Sequence, residues 1–140
     1  MCIRDRCNVA RGSNMGNIEN GQFILPREVI KAACNHFADM PKATIKASTF
    51  CCGGGGGLLT DDLIELRIKG AMPRMQALKQ SQENDGVNTL AAICAICKSQ
   101  FSKVLPNYEF DPYMIVSVHQ LVSDALVLRD KSQTKAEDSL

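Results

Sequence analysis

Apolar residues along this chain gather in short clusters separated by polar or glycine-rich stretches. Residues 11–22 are rich in Gly and Asn without periodicity and read as a loop. Pro26 then opens the segment PREVIKAACNHF, in which Val29, Ile30, Ala33 and Phe37 share one face. Proline at a first helical position and this spacing predict a helix over 26–37, ended by Met40-Pro41.

Ser48-Thr49-Phe50-Cys51 is a short β-like run that stops at the glycines Gly53 to Gly57, where backbone can approach closely. Thr60 suits an N-cap, and Asp61 and Asp62 complement the dipole of a helix predicted to reach about Gln80, bent or restarted near Pro73. SQENDGV at 81–87 reads as a polar connection. Asn88 to Cys94 is a second strand, followed by a short helix ending near Val104. Met114 to Val118 is a third strand, followed by a helix from His119 to Leu128. This alternation predicts an α/β fold with a small, mostly parallel sheet, flanking helices and cysteines at strand carboxyl ends.

Composition narrows the classes of function. A chain of 140 residues with 45% hydrophobic and 22% charged residues matches one ordinary globular domain. Sixteen basic residues face 15 acidic ones with no basic cluster, which gives no support to nucleic-acid binding. The longest apolar run, Leu90 to Cys97, is far short of the roughly 20 residues of a membrane span. Any membrane association therefore has to come through partners. The first residues lack the apolar region of a signal peptide, so a reducing, cytoplasmic compartment is expected.

Seven cysteines in such a compartment read as metal ligands more naturally than as a disulfide framework. Cys51 and Cys52 are adjacent, so their side chains diverge and suit an extended cluster better than a single ion. Cys94-x-x-Cys97 stands at the mouth of a helix, where two thiolates converge and the helix dipole favours their anionic form. Together with Cys7 these form a five-cysteine set, which we read as one iron–sulfur site. A structural zinc site competes, although zinc seldom uses a vicinal pair. A redox disulfide at the CxxC also competes, but leaves Cys7, Cys51 and Cys52 without a role. The glycine run lacks the Gly-Lys-Ser/Thr of a phosphate cradle. Cys34, Met72 and Met75 read as core residues, His36 as a solvated or dipole-stabilising residue, and His119 as a capping or packing residue that could also deliver a proton.

The order Cys7, Cys51-Cys52-Gly53, Cys94-x-x-Cys97 resembles the CCG motif of heterodisulfide reductase-type proteins. CNVARGSNMG, FCCGGGGGLLTDD, KGAMPRMQALK, AAICAICKSQF and VSVHQLV resemble, more narrowly, the DsrK-type catalytic subunits of Dsr membrane complexes in sulfate- and sulfur-metabolising prokaryotes. The resemblance implies a noncubane [4Fe–4S] cluster held by Cys7, Cys51, Cys52, Cys94 and Cys97, at which a sulfur–sulfur bond is reduced. It further implies, as partners, a DsrC-like small sulfur-carrier protein bearing a trisulfide and the other subunits of a quinol-oxidising membrane complex. Those subunits would hold the chain peripherally at the inner membrane. An iron–sulfur subunit of a 2-hydroxyacid oxidase, acting on glycolate or lactate, is the neighbouring alternative.

The opening MCIRDR resembles a translated sequencing-adaptor run. Met1 to Arg6 are accordingly read as foreign, Cys2 is left out of the ligand set, and the natural protein is expected to begin further upstream. Residues 7–128 are expected to be a C-terminal CCG domain of a longer protein, inactive alone because ferredoxin-like cysteine runs are missing from it, and 129–140 a flexible tail.

Overall fold

The computed structural model describes residues 1–5, 11–13, 15, 18, 21–55 and 57–127. Three short strands, β1 (Cys2–Arg4), β2 (Leu90–Ala92) and β3 (Ile115–Ser117), form a parallel sheet in the order β1-β2-β3. The register pairs Cys2, Ile3 and Arg4 with Leu90, Ala91 and Ala92, and these in turn with Ile115, Val116 and Ser117. The three strands therefore end side by side at one edge of the sheet.

Helices α1 (Leu25–Ala33), α2 (Ile64–Asp85), α3 (Ala95–Val104) and α4 (Val118–Ala125) cover the sheet. Strand alternation sends neighbouring side chains to opposite faces, and the core divides accordingly. Cys2, Leu90, Ala92 and Ile115 join Ala71, Met75, Leu78 and Phe101 in the larger core of α2 and α3. Ile3 and Ala91 join Ile30 of α1, with Val118 and Leu121 of α4 against them. The predicted small parallel sheet flanked by helices is what the chain forms.

Several local expectations are corrected. The first strand is Cys2–Arg4, within the hexapeptide set aside as foreign, while 48–51 forms no strand. A one-turn 3-10 helix (Lys46–Ser48) stands there instead, and Thr49 to Cys52 run on without regular structure. Parallel sheets bury both faces, and the charged and hydroxyl side chains before Phe50 suit that poorly.

Helix α1 stops at Ala33, with Cys34 in extended backbone. Its apolar face is narrower than the periodicity suggested: Ile30 is buried whereas Val29 is 39% exposed. Helix α2 continues through Pro73 and absorbs most of the polar stretch begun at Ser81. Gly86, whose amide bonds the Gln82 carbonyl, caps it in the left-handed conformation. Met75 lies in the core, but Met72 faces outward.

Candidate functional site

The cysteine-bearing loop lies against two helices, and glycine is what lets it do so. Gly53 adopts φ +86°, and a Cβ there would stand 2.1 Å from the backbone oxygen of Arg67. The same Cβ would come 3.1 Å from Nε2 of Gln100, and one on Gly54 would meet the Gln100 side chain at 3.2 Å. The loop is therefore wedged between α2 and α3 through its bare backbone.

Gln100 is one helical turn beyond Cys97 on the buried face of α3, beside Phe101 and Val104. Packing Gly53 against Gln100 thus carries Cys52 to the same side of α3 as Cys97. Cys52 and Cys97 are buried in the larger core, and Cys94, the N-cap residue of α3, packs against it half-buried. Cys94 lies just past the end of β2, at the carboxyl edge of the sheet where an open α/β fold presents its ligands.

Cys51 is exposed, and its sulfur accepts a hydrogen bond from the Gly53 amide at 3.3 Å. Its thiol is pushed up to about 12, first by its bond with the Cys52 thiol and then by burial, against the opposing pull of the Gly53 and Gly55 amides. A metal binding there has to displace the proton. Cys7 lies outside the described residues. Among the described residues no three histidine, cysteine or acidic side chains stand close enough to share one metal ion. A polynuclear cluster has a different requirement, since its sulfides separate the irons and the thiols need to surround a space rather than touch. Soft thiolates, bare glycine backbone and a buried amide donor beside them are a donor set suited to iron and sulfide.

Four polar residues without a signature of their own in the sequence pattern hold this region. Arg74, fully buried on α2, donates to the Thr44 carbonyl (2.9 Å), Thr49 Oγ1 (2.5 Å) and the Phe50 carbonyl (3.3 Å), immediately before Cys51. Arg67, also buried, bonds the Thr60 carbonyl at 3.1 Å and Gln100 through two nitrogens. Thus one arginine fixes the chain before the cysteine pair and the other the chain after it. Their signal lay in the spacing, for Arg67, Ala71, Arg74 and Leu78 share one stripe of α2. Arg27 of α1 is the fourth, and it holds Asp5, a residue shortly before Cys7, by two bonds at 2.5 and 2.9 Å.

The remaining residues singled out from the sequence lie elsewhere. Cys34 packs in the smaller core and donates its thiol to the Ile30 carbonyl at 2.7 Å. Cys2 is wholly buried in β1, and burial pushes its thiol up to about 12. His119 is exposed in the first turn of α4 and lines an open apolar groove of about 470 Å³ with Val29, Val122 and Ile93, the residue before Cys94.

A loop opened by two cysteines and set against a CxxC helix mouth is an arrangement suited to a redox-active metal cluster, and the chain is similar to the iron–sulfur subunits of Hdr-like menaquinol oxidoreductases. It is 45% identical over 124 residues to the Hdr-like menaquinol oxidoreductase iron-sulfur subunit 2 of Archaeoglobus fulgidus. It is 44% identical over 124 residues to the Hdr-like menaquinol oxidoreductase iron-sulfur subunit of Archaeoglobus profundus. In each case the match takes in 89% of this chain and 21% of the relative, so the chain spans about a fifth of the length of the curated relatives it matches. No family model matches the chain. No solved structure matches it either.

Proposed function

We propose that this chain is the CCG portion of an iron–sulfur oxidoreductase subunit of the Hdr-like type, in which Cys7, Cys51, Cys52, Cys94 and Cys97 hold a noncubane [4Fe–4S] cluster. The observation that carries the reading is the seating of Gly53 on Arg67 and Gln100, which joins the cysteine loop to the helix begun by Cys94 and Cys97. Similarity to subunits named as iron–sulfur proteins supports the same cofactor class.

When bound, the cluster supplies one electron at a time to a sulfur–sulfur bond. Cleaving one such bond would take up two electrons and two protons, giving two thiols from a disulfide, or one thiol and one persulfide from a trisulfide; a second two-electron, two-proton step would release the central sulfur of a trisulfide as sulfide. The protein groups act separately. The five thiolates ligate, Arg74 and Arg67 fix the two ends of the cysteine loop, and the core around Cys52 and Cys97 excludes water. His119 lines the groove between α1 and α4 together with Ile93, where packing is its main role and proton delivery the lesser one.

The substrate we assign is the trisulfide of a DsrC-like carrier protein, in dissimilatory sulfur metabolism. Electrons come from quinol through partner subunits that keep the chain at the cytoplasmic side of the membrane, and the chain alone is inactive. Among the described residues no helix is long and apolar enough to cross a membrane.

Anaerobic reconstitution with iron and sulfide tests the reading. The expected product is coloured, carries iron and acid-labile sulfide, and gives an EPR signal on oxidation or reduction. A colourless chain holding one zinc and no sulfide would overturn it.

A further inference from the structure

Gln100 is wholly buried, and its carboxamide can be oriented from its partners alone. Oε1 accepts from Arg67 Nε at 2.8 Å and from Arg67 Nη2 at 2.5 Å. A guanidinium only donates, so the side of the amide facing Arg67 has to be its oxygen. The NH2 group consequently faces the other way. There Nε2 is buried with no acceptor among the described residues, against the backbone of Gly53 that follows Cys52 and one turn from Cys97.

A buried donor without an acceptor loses its hydration and gains nothing in exchange. Arg67 carries a second deficit. Its carboxylate contact among the described residues is Asp61 at 3.6 Å, which is 79% exposed and held more closely by Lys103 at 2.6 Å. A buried cation with so weak a counter-charge and a buried donor with no acceptor, joined by two hydrogen bonds, both call for an anionic acceptor on the loop side of α3.

We propose that Gln100, held in one orientation by Arg67, donates from Nε2 to an anionic sulfur of the cluster site, and that the pair raises the cluster's reduction potential. They are positioning residues, for neither ligates iron. The inference rests on the function proposed above. A hydrogen bond to a cluster sulfur, with a fixed positive charge behind it, favours the more negative, reduced state.

The test is the midpoint potential of the chain reconstituted with iron and sulfide, read by EPR-monitored redox titration. Gln100→Glu keeps an acceptor for Arg67 but replaces the donor by oxygen, and Gln100→Leu removes both. Each is expected to lower the potential with cluster content maintained. Arg67→Lys keeps the charge without the fork and is expected to lower it less. Should the Glu or Leu variants fail to fold, Gln100→Asn, which retracts the same amide, is expected to assemble the cluster at a lowered potential. Full clusters whose potentials do not move in any Gln100 variant overturn this inference alone. A wild-type chain without acid-labile sulfide overturns the proposed function itself.

Discussion

Arg27 and Asp5 face each other through two parallel hydrogen bonds, Nη1 to Oδ1 and Nη2 to Oδ2, with side chains only 5% and 1% exposed. Asp5 also accepts the amide of Lys46 at 2.6 Å, where the backbone takes φ +54°, and Arg27 also bonds Asp39 and the Phe23 carbonyl. One fork thus ties β1, α1 and the loop leading toward Cys51. Asp5 and Asp39 hold the Arg27 proton more firmly than usual despite burial, so the cation persists at any working pH.

Breaking this pair from one side leaves a charge buried alone. Arg27→Met is therefore expected to destabilise the chain by about 3–5 kcal/mol. Urea unfolding measures it, and a loss below about 1 kcal/mol, the range of an exposed pair, would show that the fork is not needed for the fold.

Two glycines of the cysteine loop have nearly the same positive φ but differ in surroundings. Gly53 has φ +86° with the Arg67 carbonyl in the path of a Cβ, whereas Gly57 has φ +85° with nothing within 4 Å. Gly57→Ala is expected to cost about 1–3 kcal/mol, the strain of the left-handed conformation alone. Gly53→Ala adds a backbone clash, so the expectation is a distinctly larger loss in thermal or urea unfolding. It should also lower iron loading, because Cys52 moves with it. Equal losses in the two variants would refute the wedging of the loop between α2 and α3.

How much of this was legible in the sequence depends on which force decides each element. Leu90 to Ala92 and Ile115 to Ser117 were readable because apolar runs bounded by polar ones report burial directly. The segment before Cys51 has the letters of a strand but forms none, because its β-prone Thr49 and Phe50 are held by Arg74, a contact between residues far apart in the chain. Helix α2 outran its expected end because Gln, Glu and Asn do not stop a helix, and Gly86 does. The cysteines are what marks the candidate site in the sequence. Gln100 and Arg67 did not, since a buried polar pair has the same letters as a solvated one, and only the fold distinguishes them.

Asp61 offers a pH-dependent check on the outer wall of the loop. The Lys103 ammonium, by hydrogen bond and by charge, holds its carboxyl below the usual carboxylate range, with Arg67 adding a smaller pull. A depressed folded-state value means that the stabilisation is present above the unfolded carboxylate value and is lost as pH falls through the folded one. Lys103→Gln is expected to raise the Asp61 titration midpoint toward its ordinary value, measured by NMR. Added salt should shrink the difference, as the pair is exposed. An unmoved midpoint would mean that Lys103 does not reach Asp61 in solution.

The ligand set makes the sharpest demand on the proposed function, because cysteines of the same chain serve as controls. Cys51→Ser and Cys94→Ser remove thiolates from the loop and from the helix mouth, and each is expected to abolish the cluster. Cys34→Ser should leave it intact, for a hydroxyl can replace the thiol as donor to the Ile30 carbonyl. Cys2→Ala should also keep it. That variant loses one buried sulfur from β1, at a cost in stability alone. Iron, acid-labile sulfide and the EPR spectrum of each reconstituted variant give the answer. Loss of the cluster in Cys34→Ser with its retention in Cys7→Ser would invert the assignment and move the site to the α1 side of the sheet.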